Sequence, residues 1–494
     1  MPVSNFHSNA ERVFYSGFDG GLNLAVPNES LAKNELKEAL NVEFSPLTGA
    51  MKVRGGLVWS GRFDYNVDFA VPVSGRRAFL ARFNGSRRLA YFKWNNIWPV
   101  TGRLSGNGDL SIAKWGDDEF LIASGGKLQR FSDKNITPQI ETISTSPDEC
   151  RYVFVRNGRV GVVNGDDTIT FSAVGDCEKW DNDPDDESSG QFIEIGYKDG
   201  MNITAVIPLS RDLIVFKSPP NEPDKGIIWR LTGDFPEWVS LEVAHNTGTF
   251  SQRTVKSVGN DVFYISPSGI ATLSSVTAYG EVKASWPDRK VSSALTNLLK
   301  DTGQLWDVPA KQQLWILGSS NAPEIWILDY LRGIWTKFKF PKIPAFVTCV
   351  ENTVYMFIGR DVYAMIDGYT QDDMKGENKT AIEAHMRLGT LLTGNQILIK
   401  RAYASFEIMP DCRAELRLGK FCMMFKSGGK ADYIYDAPNN EQYASEDDDD
   451  LFPAGGVLTS RRQCIVRDWS ITPEIKIYGG GCSVSTVGLE IAEV

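Results

Sequence analysis

The chain has 494 residues and a formal net charge of −10, with 52 Lys and Arg against 62 Asp and Glu. That balance argues against a broad nucleic-acid-binding face, because phosphate contacts need clustered basic side chains; it suits an acidic wall past which nucleic acid slides without sticking. An apolar share of 42%, with 26 Phe, 16 Tyr and 13 Trp, excludes a disordered chain and leans toward β structure, where flat rings fit a pleated, half-buried surface.

The seven cysteines are scattered and form no C-x-x-C pair. They read as reduced, buried thiols of a protein folded in cytoplasm. His7, His245 and His385 lie far apart in sequence, which argues against a His-rich metal site. The opening MPVSNFHSNAERVFYSG has no apolar core of a signal peptide. No apolar run approaches the roughly 18 residues that a membrane helix needs. The expectation is a chain made in cytoplasm, with no membrane span.

In chain order, SLAKNELKEALN (Ser30–Asn41) is predicted as a helix, because Leu31, Leu36 and Leu40 recur near helical spacing after a capping Asn28 or Ser30. Strand–turn–strand units follow. AFLARF and RRLAYFKW flank Asn84-Gly85, a pair that favours a type I′ hairpin turn. EFLIAS and KLQRF flank Gly125-Gly126; YVFVR and RVGVV flank Asn157-Gly158; DVFYIS and IATLSS flank Pro267-Ser268-Gly269. A second helix is predicted at Val291–Gly303, and the groups QLWILGS, PEIWILDY and TVYMFIG-RD-VYAMIDG continue the β pattern.

The hairpins begin near 79, 119, 152, 213, 262, 314 and 354. Their spacing centres near roughly 45 residues, the length of a four-stranded propeller blade. Stacked radially, each small sheet covers a face that it cannot bury alone. After Gly368 the polar stretch Tyr369–Thr380 reads as a linker, and alternating strands resume to the end. The fold class is therefore all-β: a β-propeller of six to eight blades plus a β-rich platform domain formed by the N- and C-terminal segments. The divisions are 1–57, an N-terminal segment joining the platform; 58–368, the propeller; and 369–494, the C-terminal β platform domain. A pair of β-sandwiches is the alternative.

Two acidic runs invite a metal reading. Asp181, Asp183 and Asp185 start like a calcium loop, but Asp186 stands where that loop needs Gly and Phe192 where it needs Glu. We expect Asp181, Asp183, Asp185 and Asp186, and likewise Asp447, Asp448, Asp449 and Asp450, to be loops facing solvent or an acidic lumen. Ser172–Trp180 has the Ser and Trp of a sialidase Asp box, but its interior differs and it does not repeat. No nucleophile elbow, P-loop, HExxH or dinucleotide fingerprint stands in a strand–helix context. The reading is of a non-enzyme, with catalytic residues, cofactor and metal all entered as none. A propeller-fold glycan hydrolase is the enzymatic rival, since a carboxylate pair needs only closeness in space.

The order of several pieces resembles tail proteins of tailed phages. They are Gly20-Gly21-Leu22-Asn23, Leu40-Asn41-Val42, Thr48-Gly49 and Arg54-Gly55-Gly56, then ITFSAVGDCEKW, ITAVIPLSRDLIVFK, IIWRLTGDF and TVKSVGNDVFYISPSGIATLSS. The resemblance covers most of the first 280 residues and is nearest to the tail nozzle, hub or tail tubular protein of short-tailed phages. It implies a structural virion protein, made in the host bacterial cytoplasm, that forms a homohexamer ring below the portal and adaptor. It implies a platform touching the adaptor protein and tail fibre or spike protein, with the host cell envelope as a further contact. Propellers then surround a channel through which viral DNA passes without specific binding. Six copies at −10 give −60 for such a ring. The family carries no catalytic residues to transfer. A receptor-binding or fibre-attachment propeller at the tail tip is the other reading.

Overall fold

The computed structural model describes residues 11–73, 78–83, 85–93, 96–116, 119–134, 137–183, 185–209, 211–276, 281–298, 303–318, 324–350, 352–377, 379–426, 433–435 and 457–493. The chain divides into two compact units. One joins Met1–Val58, Pro323–Pro341 and Met365–Val494; the other joins Trp59–Ala322 and Lys342–Ala364. The sequence assigned 58–368 to one propeller, whereas Pro323–Pro341 groups with the terminal segments.

The second unit is a β-propeller, with seven blades among the described residues. The first blade is Val67–Pro72, Ala78–Phe83, Leu89–Lys93 and Asn96–Pro99. The second is Ser111–Trp115, Glu119–Ala123, Gln129–Ser132 and Gln139–Thr142. The third is Tyr152–Arg156, Arg159–Val163, Thr168–Phe171 and Gln191–Glu194. The fourth is Asn202–Leu209, Asp212–Ser218, Ile227–Thr232 and Val239–His245. The fifth is Val255–Val258, Asp261–Ser266, Gly269–Val276 and Glu281–Ser285. Within this unit the sixth contributes the antiparallel pair Gln304–Val308 and Gln313–Leu317. The seventh is Phe346–Val350, Thr353–Ile358 and Asp361–Ile366, completed by Gly56–Arg62 from the N-terminal side. That last strand makes the final blade from both ends of the propeller sequence, which closes the ring. Phe63 N donates to Arg360 O at 2.8 Å and Val67 N to Gly359 O at 3.1 Å, fastening first blade to seventh. Rings seal the same junction: Phe69–Phe346 centroids are 4.8 Å apart and Phe79–Phe357 5.2 Å.

The second strand of a blade explains the short apolar runs. Every residue of Asp212–Ser218 is buried. Leu213 and Val215 pack with Phe154, Val163 and Phe171 of the third blade. Ile214 and Phe216, on the opposite face, pack with Val255, Val262 and Tyr264 of the fifth. Both faces of a strand meet a neighbouring blade, so both are apolar and the usual alternation is lost. At Asn157-Gly158 the φ angles are 49° and 71°. Positive φ at both central residues is the demand of a type I′ turn, met by Asn and Gly at low steric cost. Asn84 lies outside the described residues.

The terminal-segment unit interleaves the two ends of the chain. One sheet runs Val42–Ser45, Ala50–Val53, Ser483–Glu493, Leu391–Glu407 and Val457–Ile471, and Glu11–Ser16 also pairs with Ser483–Glu493. In a second sheet Glu35–Leu40 lies parallel to Gly21–Leu22 and to Ile334–Lys339, and antiparallel to Glu383–Leu388. Pro473–Tyr478, Arg413–Leu418 and Phe421–Lys426 continue it. Among the described residues all seven cysteines are free, and five are buried.

The helix predicted over Ser30–Asn41 is absent. Asn28–Ser30 is one 3-10 turn and Glu35–Leu40 is a strand. The cause is a β-bulge: Leu36 faces Leu388 and Glu38 faces Arg387, leaving Lys37 as the extra residue. The bulge turns both Leu36 and Ala39 inward, so an i, i+3 spacing that mimics a helix serves a strand. The second predicted helix is present as Ser292–Leu298.

Candidate functional site

Two of the motif pieces that carried the resemblance, those holding Asn41 and Arg54, meet at one buried node of the terminal-segment unit. Arg54 is 1% exposed. Its Nη2 donates to Asp372 Oδ2 at 2.7 Å and its Nη1 to Oδ1 at 3.0 Å. Its Nε reaches Asn41 Oδ1 at 3.1 Å, and Nη2 also reaches Lys339 O at 2.9 Å. Asn41 sits at φ 57°, donates through Nδ2 to Glu383 O and accepts from Lys339 N. Asp372 Oδ1 takes a further bond from Leu57 N. The planar guanidinium is held in two-point register with a carboxylate, and the Phe340 ring lies 4.2 Å from its centre. Gly55 and Gly56 leave room for close backbone: a Cβ at Gly56 would stand 2.1 Å from Gln371 O. These residues are spent on joining chain segments, with their hydrogen-bonding atoms engaged.

The propeller channel is different. It encloses a cavity of about 440 Å³ between the innermost strands. Arg253, in the turn Gln252–Thr254 before the fifth blade, pairs two-point with Asp109, just before the second: Nη2–Oδ1 is 2.5 Å and Nε–Oδ2 2.8 Å. The Arg253 guanidinium also lies 4.6 Å from the Phe69 ring of the first blade. Gln252 bonds both N–H and C=O of Val206 in the fourth, at 2.9 and 3.0 Å. Trp306 of the sixth blade meets Phe346 of the seventh edge-on at 5.9 Å.

Lys256 of the fifth blade and Asp307 of the sixth face this cavity, and both are half-buried. Burial pushes the Asp307 carboxyl up to about 6, against the pull of the Lys256 charge. Burial pushes the Lys256 ammonium down, and Asp307 opposes it. Burial also pushes the Cys349 thiol up to about 11. Asp307 Oδ1 and Trp306 Nε1 are buried atoms with no hydrogen-bond partner among the described residues. Paired-carboxylate hydrolysis needs one free acid and one free base or nucleophile. Asp109 is already committed to its two-point pair with Arg253.

Asp181, Asp183 and Asp185 are exposed, and Asp186 is half-buried, in the loop before the third blade's outer strand. Asp183 Oδ1 accepts from Asp185 N, and Asp186 Oδ1 from Ser188 N and Oγ. The Ser188 bonds hold the Asp186 carboxyl below its usual range. Among the described residues no group of three or more His, Cys, Asp or Glu is placed to hold a metal ion. Asp447, Asp448, Asp449 and Asp450 lie outside the described residues. In Ser172–Trp180 the Ser172 hydroxyl accepts from Val160 N of the strand Arg159–Val163, and the Trp180 indole donates to Cys177 O within its own turn. Among the described residues no helix is long and apolar enough to cross a membrane.

The sequence did not single out Asp109, Arg253 or Lys256, and showed Trp306-Asp307 only as a Trp-Asp pair with no matching partner at a fixed period. Gln304–Val308 carries an Asp in the middle of an otherwise apolar innermost strand, beside Trp306. That was the one available signal.

No family model and no curated protein matches this chain. Solved structures with similar folds include the WD40 β-propeller domain of Doa1, at 14% identity, covering 63% of this chain and 97% of that one, TM-score 0.40. BamB from Moraxella catarrhalis matches at 11% identity over 65% of this chain and 99% of its own, TM-score 0.39. The extracellular domain of the putative one component system BT4673 from B. thetaiotaomicron matches at 12% identity over 92% of this chain and 66% of that one, TM-score 0.44.

Proposed function

We propose that this chain is a structural subunit of a bacteriophage tail, a ring-forming nozzle or hub that extends and closes the DNA channel below the portal and adaptor. Tail fibres or spikes attach through it, its own copies are its principal partners, and it resides in the virion. It performs no catalysis in this role.

The supporting observation is the Asn41–Arg54–Asp372 node. Asn41 and Arg54, from two of the pieces that carry the resemblance to tail nozzles, meet there, and both are engaged in hydrogen bonds that join chain segments rather than turned toward a reactant. A component under load during DNA ejection gains from such cross-links between distant parts of its chain. The net charge of −10 suits a wall that does not grip DNA.

The test is electron cryomicroscopy of the particle whose genome encodes this chain. A ring of propellers around the tail axis, directly below the adaptor, is the expected result. Density for this chain only at the distal ends of fibres would overturn the nozzle reading in favour of receptor binding.

A further inference from the structure

Two chain crossovers run side by side in the terminal-segment unit. Leu391–Glu407 ends in the first sheet, and residues 408–412 carry the chain to Arg413–Leu418 in the second. Pro473–Tyr478 ends in the second sheet, and residues 479–482 carry it back to Ser483–Glu493 in the first. The crossovers are in register at both ends, where Glu407 faces Ser483 and Arg413 faces Tyr478. Each carries one cysteine at its last position, Cys412 and Cys482.

Glycine allows the close approach. The second crossover begins Gly479-Gly480-Gly481. A Cβ at Gly479 would stand 2.1 Å from Cys412 Sγ, so that sulfur lies where a side chain would otherwise be. The N–H groups of Gly479, Gly480 and Gly481 bond elsewhere, to Ile382 O, Thr370 O and Val53 O. The crossovers meet through sulfur. Met409 N donates to Cys482 Sγ at 3.3 Å, and the Cys412 thiol hydrogen-bonds the same sulfur. Pro410 O, 3.4 Å from Cys412 Sγ, is that thiol's other acceptor.

This geometry sets the pair apart from the other cysteines. The Cys412 thiol and Met409 N–H hold the Cys482 thiol below its usual range, against burial and the Glu407 charge. Burial pushes Cys150, Cys349, Cys422 and Cys464 up. The thiolate is the form that attacks an oxidant. Both sulfurs belong to buried residues, but Pro410 and Asp411, beside Cys412, are exposed. An oxidant as small as hydrogen peroxide suits a pair that lies just beneath an exposed turn.

We propose that Cys412 and Cys482 are a redox-active pair that peroxide closes into a disulfide, stapling the two crossovers and with them the two sheets of this unit. The Cys482 thiolate attacks one peroxide oxygen; the O–O bond breaks, leaving a sulfenic acid on Cys482 and releasing hydroxide. The Cys412 thiol loses its proton and attacks the Cys482 sulfur, forming the S–S bond and expelling a second hydroxide. In sum two thiols are oxidised to one disulfide and one peroxide is reduced to two waters. The link restricts the unfolded chain between the two positions, which favours the folded state. The proposal does not depend on the nozzle reading and survives its failure.

The experiment treats the native full chain with hydrogen peroxide, blocks the remaining thiols with N-ethylmaleimide in denaturant, and maps linked peptides by mass spectrometry without reduction. We expect Cys412 linked to Cys482, with Cys150, Cys177, Cys349, Cys422 and Cys464 carrying maleimide. The oxidised chain should melt about 2 °C or more above the reduced one, and dithiothreitol should reverse the rise. Cys412→Ser should abolish both the link and the rise; the wild-type mapping stands by itself if that variant fails to fold. Peroxide that leaves both cysteines free, links scattered among the other cysteines, or a Cys412–Cys482 link without a rise in melting temperature would overturn the proposal.

Discussion

The ammonium of Lys217 is fully withdrawn from solvent and lies 2.8 Å from Oδ2 of Asp199. The same Nζ reaches Asp167 Oδ1 at 2.7 Å and the backbone carbonyls of Ile195 and Gly196 at 2.6 and 3.0 Å. Lys217 belongs to the second strand of the fourth blade, and its partners sit beside the third. One cation therefore bolts two blades that also pack through their apolar faces.

Removing that cation should be costly. Lys217→Ala leaves two carboxylates and two carbonyls facing a space without a donor, and breaking a buried pair costs about 3–5 kcal/mol. Burial raises the Asp167 carboxyl, but the bonds from Lys217 and from Lys198 N prevail and hold it below its usual value. Its contribution is therefore present above about pH 4 and is lost as pH falls through the lower folded value. Urea unfolding should show the large deficit of Lys217→Ala near neutrality and a narrowing gap in acid. A neutral-pH deficit below about 1 kcal/mol would contradict the bolt.

Asp307 should give the opposite slope. Its folded value of about 6 stands above the ordinary value near 4. The native state then holds a proton that the unfolded chain releases, so this group's contribution falls as pH rises from about 4 to 6. Compared with Asp307→Asn, the wild-type chain should lose ground across that window, as read by melting temperature at each pH. A relative gain for wild type over the same window would show that the carboxyl is not raised.

The node can be tested from its acidic side. Asp372→Ala leaves the Arg54 guanidinium buried without its counter-charge, a loss of about 3–5 kcal/mol. Hydrogen exchange should report it at Leu57 N, which bonds Asp372 directly. Unchanged protection there, with Arg54 still in place, would mean the node is dispensable.

Two glycines separate backbone strain from close approach. Gly17 and Gly21 have φ of 63° and 61°. A Cβ at Gly17 would meet nothing within 4 Å, whereas one at Gly21 would stand 2.7 Å from Ile334 Cγ2. Gly17→Ala should cost only the left-handed penalty, about 1–2 kcal/mol. Gly21→Ala should cost more, because packing must also shift. Equal losses in thermal unfolding would remove the contact from the explanation.

The legible parts of this fold are those encoded locally. Strands buried on both faces, such as Asp212–Ser218, show as short apolar runs, and turns such as Asn157-Gly158 mark their ends. Seven such hairpins in the sequence stand one to a blade. The helix assigned to Ser30–Asn41 failed because Leu31, Leu36 and Leu40 do not share one element: Leu31 follows a 3-10 turn, and Leu36 and Leu40 sit on a bulged strand. Arg54 was visible as part of a motif, but Asp372 is 318 positions away and nothing local marks it. The channel was hidden for the same reason: Asp109, the Arg253–Lys256 stretch and Asp307 come from three places in the chain, and only ring closure brings them together.

The most direct measurement on the nozzle reading is the DNA content and tail morphology of particles assembled without this protein. We expect truncated tails on heads that leak or fail to retain DNA, because the channel is neither extended nor sealed. Complete tails on DNA-filled heads that fail only to adsorb would contradict it and move the chain to receptor binding.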